Sequence, residues 1–415
     1  MITEIKWRIE QMRQGDIPAG YKKAASGIAP ANWKRYTLGD IYTERKESGD
    51  ENLPLLMVSI HSGVSDGEVD AAELPKQVKR IEDKSQYKKA VSGDLVFNMM
   101  RAWQGAIGTV RTTGMVSPAY IVAEPNDKAY PLFMDYYSRT PQMINQLDRQ
   151  SYGVTDFRKR LYWDSFAPIG CILPPIEEQQ KIATILTTQD RVIELKEKRL
   201  AEKQRQKKYL MQQLLTGKKR LPGFNGAWKT DCLDKLFFER KETNCENIEM
   251  LAITGTQGII PRKELDLKDN SSEDKSKYLR VCVGDIGYNT MRMWQGVSAY
   301  SNYEGIVSPA YTILKPSSSI NAKYFAYLFK MSEIVFLFYR FSQGLVDDTR
   351  NLKYENFKKI KVYYPPDIKE QTAIAEVLSA ADREIELLQQ DIEQEKQKKK
   401  ALMQLLLTGI VRVKT

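Results

Sequence analysis

Asn98, Arg101, Trp103, Gln104 and Tyr120 recur as Asn289, Arg292, Trp294, Gln295 and Tyr311, each 191 residues later. These side chains suit recognition of nucleic-acid bases: arginine can bond guanine bidentately, asparagine and glutamine can bond adenine, and aromatic rings supply stacking or packing. A glycine follows the glutamine in each copy and lets the backbone turn there. Two uses compete for the set. Residues kept in both copies serve a shared scaffold more often than base reading, because bases read by two units need not match. Trp103, Trp294, Tyr120 and Tyr311 are expected in the core, while Asn98, Arg101, Gln104, Asn289, Arg292 and Gln295 are candidate DNA contacts.

A second candidate is the basic loop Tyr152-Gly153-Val154-Thr155-Asp156-Phe157-Arg158-Lys159-Arg160, whose counterpart is Gln343-Gly344-Leu345-Val346-Asp347-Asp348-Thr349-Arg350-Asn351. The frame is kept and the polar residues differ, as two related readers would diverge. Arg158, Lys159, Arg160, Arg350 and Asn351 are therefore candidate contacts to phosphates or bases, with solvated loop charge as the competing use. The lysine-rich runs 205–208 and 396–400 read as solvated helix faces.

Catalytic chemistry finds no comparable constellation. There is no GxxxxGK[ST] phosphate loop and no Gly-rich dinucleotide turn. The Asn/Asp-Pro-Pro-Tyr/Phe box of adenine methyltransferases is missing too, since the two Pro-Pro pairs follow Leu173 and Tyr364. The single histidine, His61, and four cysteines without CxxC spacing, Cys171, Cys232, Cys245 and Cys282, offer no usual zinc set. The cysteines are expected to be reduced packing residues of a cytoplasmic protein.

A formal charge of +10 favours a polyanionic partner. With no apolar run of 18 residues and no signal-peptide pattern, nucleic acid is preferred over a membrane. At 415 residues the chain should divide into at least two domains.

The elements that position the candidates come in two copies. Residues 94–120 match 285–311 at 13 of 27 positions, and 178–217 match 370–409 at 19 of 40, so the duplication spans a compact segment and a charged helix alike. Residues 1–30 read as a peripheral leader. The stretch 33–47 has a looser counterpart at 228–242, so each unit opens the same way, through Trp33 and Trp228 and the Glu-Arg-Lys-Glu runs at 44–47 and 239–242. Short apolar runs such as 95–97 and 120–122, between Gly, Asn and Ser-Pro turns, predict strands. Helical patterns lie around 131–147 and 321–340, making each unit mixed α+β.

Each unit closes on Pro174-Pro175 or Pro365-Pro366, and a long helix starts near Glu178 or Glu370. The seam 182, 186, 189, 193, 196, 200, 203, 207, 210, 214 and its copy from Ile374 to Leu406 are apolar at both ends and polar past the middle, in coiled-coil spacing. Forty helical residues span roughly 60 Å. Antiparallel pairing of the two helices is expected, with Gly217 and Gly409 as stops.

These residues resemble a family. WKRYTLGDI, NMMRAWQGAIGTVRTTGMVSPAY with its copy, LPPIEEQQKIATIL with YPPDIKEQTAIAEVL, and the helix ends LMQQLLTGKKRL and LMQLLLTGIVRV are similar to the specificity (S) subunits of type I restriction–modification systems, over residues 30–410. The second Pro-Pro element departs by one extra residue, Asp367. The resemblance implies two target-recognition domains, 31–173 and 227–364, in pseudo-twofold arrangement, each reading half of a split double-stranded DNA site. It implies that helices 176–217 and 367–409 pair as an antiparallel coiled coil that spaces them. It implies two methyltransferase (modification) subunits and motor–nuclease restriction subunits as partners. S-adenosylmethionine, ATP and magnesium would belong to those partners, and the S subunit itself would be non-catalytic. Other classes stay open on the residues alone: a coiled-coil interaction adaptor, a nuclease with an unfamiliar carboxylate site, or the DNA-binding subunit of a related bipartite system.

Overall fold

The structure is a computed structural model and describes residues 2–24, 27–50, 52–60, 63–65, 86–155, 158–245, 248–255, 258–265 and 274–413. His61, Asp156 and Phe157, named above, lie outside the described residues. The chain forms two compact units, Met1–Leu195 with Ile392–Thr415, and Lys196–Asp391. This division cuts both long helices near their middles instead of following the Pro-Pro boundaries.

In the first unit a four-stranded antiparallel sheet runs in the order Tyr42–Glu44, Tyr120–Pro125, Leu95–Asn98, Ile107–Thr109. Alternation along the central strand sorts its side chains to two cores. Leu95 and Phe97 join the larger core with Phe133, Phe166 and Leu186, and Val96 joins a smaller one with Val58, Val116 and Val122. A separate pair, Lys34–Thr37 with Gly170–Leu173, brings the start of the unit beside its end, with Lys34 opposite Leu173.

The second unit repeats this plan. Its sheet order is Phe237–Glu239, Tyr311–Pro316, Ile286–Asn289, Ser298–Tyr300, and Lys229–Cys232 pairs with Lys361–Tyr364. Where the first unit has Val96, the second has Gly287, and a Cβ there would lie 2.3 Å from Ile253 Cδ1. An isoleucine methyl on the neighbouring hairpin thus fills the space of the missing valine. The Glu-Arg-Lys-Glu runs gain a structural meaning: Arg45 Nε binds the buried Asp94 at 2.8 Å, and Arg240 Nε binds the buried Asp285 at 2.7 Å. Each arginine ties the first sheet strand to the turn that opens the repeated block.

Among the described residues nine α-helices follow one another in chain order: α1 (Ile2–Gln14), α2 (Pro131–Tyr137), α3 (Pro141–Gln150), α4 (Trp163–Phe166), α5 (Ile176–Leu214), α6 (Ala322–Leu328), α7 (Ser332–Phe341), α8 (Tyr354–Phe357) and α9 (Ile368–Leu407). The patterns at 131–147 and 321–340 are thus each two helices. The breaks come where Thr140 caps α3, its hydroxyl accepting from the Met143 amide at 3.3 Å ahead of Pro141, and at residues 329–331. The leader reaches the first unit through residues 21–30, while Trp7 and Ile17 are exposed. The Tyr21 hydroxyl donates to the Gly409 carbonyl at 2.9 Å, and Ala29 is buried, so the leader covers the end of α9 in the first unit.

Within the first unit, Ile182 and Leu186 of α5 are buried with Leu406 and Leu407 of α9 in one core. In the second, Ile374 and Leu378 of α9 are buried with Leu214 of α5. Polar seam residues meet across the two helices in each unit. Gln189 Nε2 donates to Glu395 Oε2 at 2.6 Å and Lys399 pairs with Asp190 at 2.5 Å in the first, while Lys196 pairs with Asp391 and Lys203 with Glu384, each at 2.8 Å, in the second. Lys207 also pairs with Asp382. The lysine runs are therefore not uniformly solvated, since Lys207 and Lys399 each face an acid on the other helix. Gly217 and Gly409 take left-handed φ of 72° and 73° just past the helix ends, as stops require.

Candidate nucleic-acid interface

In each unit the repeated turn and the divergent loop meet on one surface. Strand Leu95–Asn98 ends at a turn held by its own side chain: the Met100 amide donates to Asn98 Oδ1 at 2.9 Å, as the Met291 amide does to Asn289 Oδ1 at 3.0 Å. Asn98 and Asn289 thus commit their carbonyl oxygens to the backbone. A one-turn 3-10 helix follows, Ala102–Gln104 or Met293–Gln295, whose first side chain is buried. Burial of that residue leaves Arg101, Gln104, Arg292 and Gln295 exposed. Gly105, at φ 99°, closes the turn against α3, where a Cβ would lie 3.3 Å from Ile144.

The tryptophans and tyrosines depart from the core expectation. Trp103 and Trp294 are half-buried at the surface, because their indole N–H groups are used to close the turn, donating to the Met100 and Met291 carbonyls at 3.0 and 2.9 Å. Tyr120 and Tyr311 are half-buried as well and pack against the rims of the smaller cores.

The loop after α3 is clamped by reciprocal backbone bonds between Tyr152 and Arg160, at 3.1 and 2.9 Å. The Leu161 amide then donates to the Met99 carbonyl at 2.9 Å, joining loop to turn. Lys159 pairs with Asp148 of α3 at 2.9 Å and lies 5.1 Å over the Trp103 ring. Arg160 donates to the Lys159 carbonyl at 2.9 Å, and Arg158 is exposed. Of the three basic candidates, Arg158 presents its side chain to solvent and Lys159 is engaged in holding the loop.

The second loop uses the same clamp with other chemistry. Gln343 and Asn351 exchange backbone bonds at 2.8 and 2.7 Å, and the Leu352 amide donates to the Thr290 carbonyl at 2.8 Å. Arg350 stacks 4.1 Å from the centroid of the Tyr339 ring, and that ring is edge-on to Trp294 at 6.2 Å. Arg350 Nε also pairs with Asp347 at 3.3 Å. Asn351 Nδ2 donates to the Thr349 carbonyl at 3.3 Å, while its buried Oδ1 finds no donor among the described residues.

Sequence reasoning overlooked the apolar tips. Val154 and Leu345, at equivalent positions, are almost wholly exposed, and Tyr152 is exposed beside Tyr162 with ring centroids 5.5 Å apart. Equivalent placement in both loops was the available signal. What the surface can do chemically is bind: it offers guanidinium and amide donors, aromatic faces and aliphatic tips on a braced frame. Among the described residues no group of three or more His, Cys, Asp or Glu could hold a metal ion.

Residues 30–205 and 234–397 match the Type I restriction modification DNA specificity domain. The chain belongs to this family. It is a type I restriction–modification specificity subunit, its two matched segments are target-recognition domains, and its role is DNA recognition. A relative from Methanocaldococcus jannaschii, itself named provisionally as type I restriction enzyme MjaX specificity subunit, is 24% identical over 95% of this chain and 97% of its own. Two solved structures share the fold. One is the type I restriction–modification system S subunit from M. genitalium, at 12% identity and TM-score 0.56 over 92% of this chain and 97% of that one. The other comes from work on complex assembly and conformational transition of the type I R-M system, at 16% identity and TM-score 0.52 over 92% and 99%. No helix among the described residues of this specificity subunit is long and apolar enough to cross a membrane.

Proposed function

We propose that this specificity subunit is the non-catalytic reader of a bipartite DNA site, one half-site to each target-recognition domain. One observation carries the reading. In each unit the exposed Arg–Gln turn and the divergent loop are bonded together into a single face, through Leu161 to Met99 in the first and Leu352 to Thr290 in the second. A shared frame with different side chains is what two readers of different sequences need. Arg101, Gln104, Arg158 and Arg160 serve the first half-site, and Arg292, Gln295, Arg350 and Asn351 the second, with Lys159, Asn98 and Asn289 shaping the surfaces.

Helices α5 and α9 pair as an antiparallel coiled coil that sets half-site spacing and docks two methyltransferase subunits, with restriction subunits completing the complex. The seam contacts within each unit support the pairing. S-adenosylmethionine, ATP and magnesium belong to those partners, and the complex works in the cytoplasm. The test is methylome sequencing of cells with and without this chain, followed by gel shifts of the purified complex on the mapped site. A split motif that vanishes with the chain, and affinity that falls steeply with salt, are expected. A complex that binds proteins but no duplex would leave an interaction adaptor instead.

A further inference from the structure

Three groups from three elements meet at one point in each unit. In the first, the Tyr136 hydroxyl on α2 donates to Asp190 Oδ2 of α5 at 2.5 Å, and Lys399 of α9 pairs with Asp190 Oδ1 at 2.5 Å. Lys399 Nζ also lies 5.5 Å over the Tyr136 ring, so tyrosine, carboxylate and ammonium close a triangle. In the second unit the Tyr327 hydroxyl on α6 donates to Asp382 Oδ2 of α9 at 2.6 Å, Lys207 of α5 pairs with Asp382, and its Nζ lies 5.6 Å over the Tyr327 ring. The two triangles exchange the roles of the long helices.

We propose that Tyr136–Asp190–Lys399 and Tyr327–Asp382–Lys207 are positioning residues for DNA specificity: register locks that hold each target-recognition domain at one place on the helix pair. This deepens the spacing role proposed above and rests on it. An apolar seam would hold the helices together in several registers, because one leucine packs much like the next. A polar residue at a seam position selects one register at some cost in stability. A slip of one turn in the first unit would bring Glu395 or Met403 toward Asp190 in place of Lys399, giving repulsion or an unpaired charge. Each tyrosine comes from the globular body, so the same carboxylate that registers the two helices also anchors the body to them.

The test uses the complete complex in cells, with methylated positions mapped for wild type, Y136F/Y327F and D190N/D382N. Loss of hydrogen bonds to a charged group corresponds to about a tenfold change in the affected equilibrium. We expect both half-site sequences to be unchanged. Sites whose half-sites are one base pair closer or farther apart are expected to be methylated about tenfold more often than in wild type. Removing two hydroxyls preserves volume, and a melting curve of Y136F/Y327F confirms folding. Reduced methylation confined to the original spacing would mean that the triangles only stabilise the fold, and would overturn the proposal; so would a changed half-site sequence. A four-residue deletion in each long helix is run alongside. If that deletion moves the spacing and the point variants do not, the locks fall alone; if it leaves the spacing unmoved, the spacing role falls with them.

Discussion

Glu178, at the start of one long helix, is clasped by Arg412, 234 residues away, through two bonds of 2.6 and 2.8 Å. The carboxylate is fully buried and also accepts from the Trp33 indole at 3.2 Å. In the second unit Glu370 is held by Arg220 at 2.6 and 2.7 Å and by Trp228 at 3.4 Å. The chain following each long helix therefore seals the unit that contains the start of the other. Arg412→Ala would strand a buried carboxylate, a cost of about 2–3 kcal/mol because Arg412 is partly exposed and water can refill its place. The expected result is a lower urea midpoint for the first unit with an unchanged slope, read by hydrogen exchange at Trp33 and Glu178. Arg220→Ala is expected to do the same in the second unit.

Replacing Arg158, Lys159 and Arg160 together with alanine is expected to weaken DNA binding and relax only the first half-site. Each lost base contact is worth about 1–3 kcal/mol. Arg350→Ala is the matching change in the second loop. Methylome mapping checks both, and an unchanged motif and affinity would remove these loops from the reading surface.

Deleting four or seven residues near 196–203, with a matching deletion near 388–395, is expected to shift the half-site spacing while both half-site sequences stay the same. Each helical residue removed shortens the separation by about 1.5 Å. Original spacing in the methylation map would show that the helices are not the ruler.

Cys171 lies buried in the strand pair that closes the first unit, and burial, with the charge of Asp40 adding to it, pushes its thiol up to about 12 from an ordinary 9.0. Between pH 9 and 12 the unfolded chain releases this proton while the folded unit keeps it, so folding stability falls as pH rises through that window. Cys171→Ala should carry a constant packing penalty and a shallower alkaline decline, measured by urea unfolding from pH 8 to 10. Parallel curves for the two proteins would refute the assignment.

Much of this protein was legible in its sequence because duplication compares one part of a chain with another. The paired Pro-Pro stops, the apolar and polar stretches of the seam and the offset of 191 residues required no tertiary information, and they led to two α+β units, two long helices and the specificity-subunit resemblance. The short apolar runs 95–97 and 120–122 and their flanking turn residues pointed to strands, which the structure extends to Leu95–Asn98 and Tyr120–Pro125. Tertiary structure alone decided which residues share a surface. Arg101 and Arg158 belong to one face because the Leu161 amide bonds the Met99 carbonyl, a contact between segments that no local pattern links. Trp103 reads as core by type, but closing a turn with its indole N–H keeps it at the surface. Glu178 and Arg412 stand 234 residues apart with no local pattern linking them, and only folding buries one and brings the other to it. Spacing along the chain records periodicity and repetition, whereas pairing across it depends on how side chains fill space.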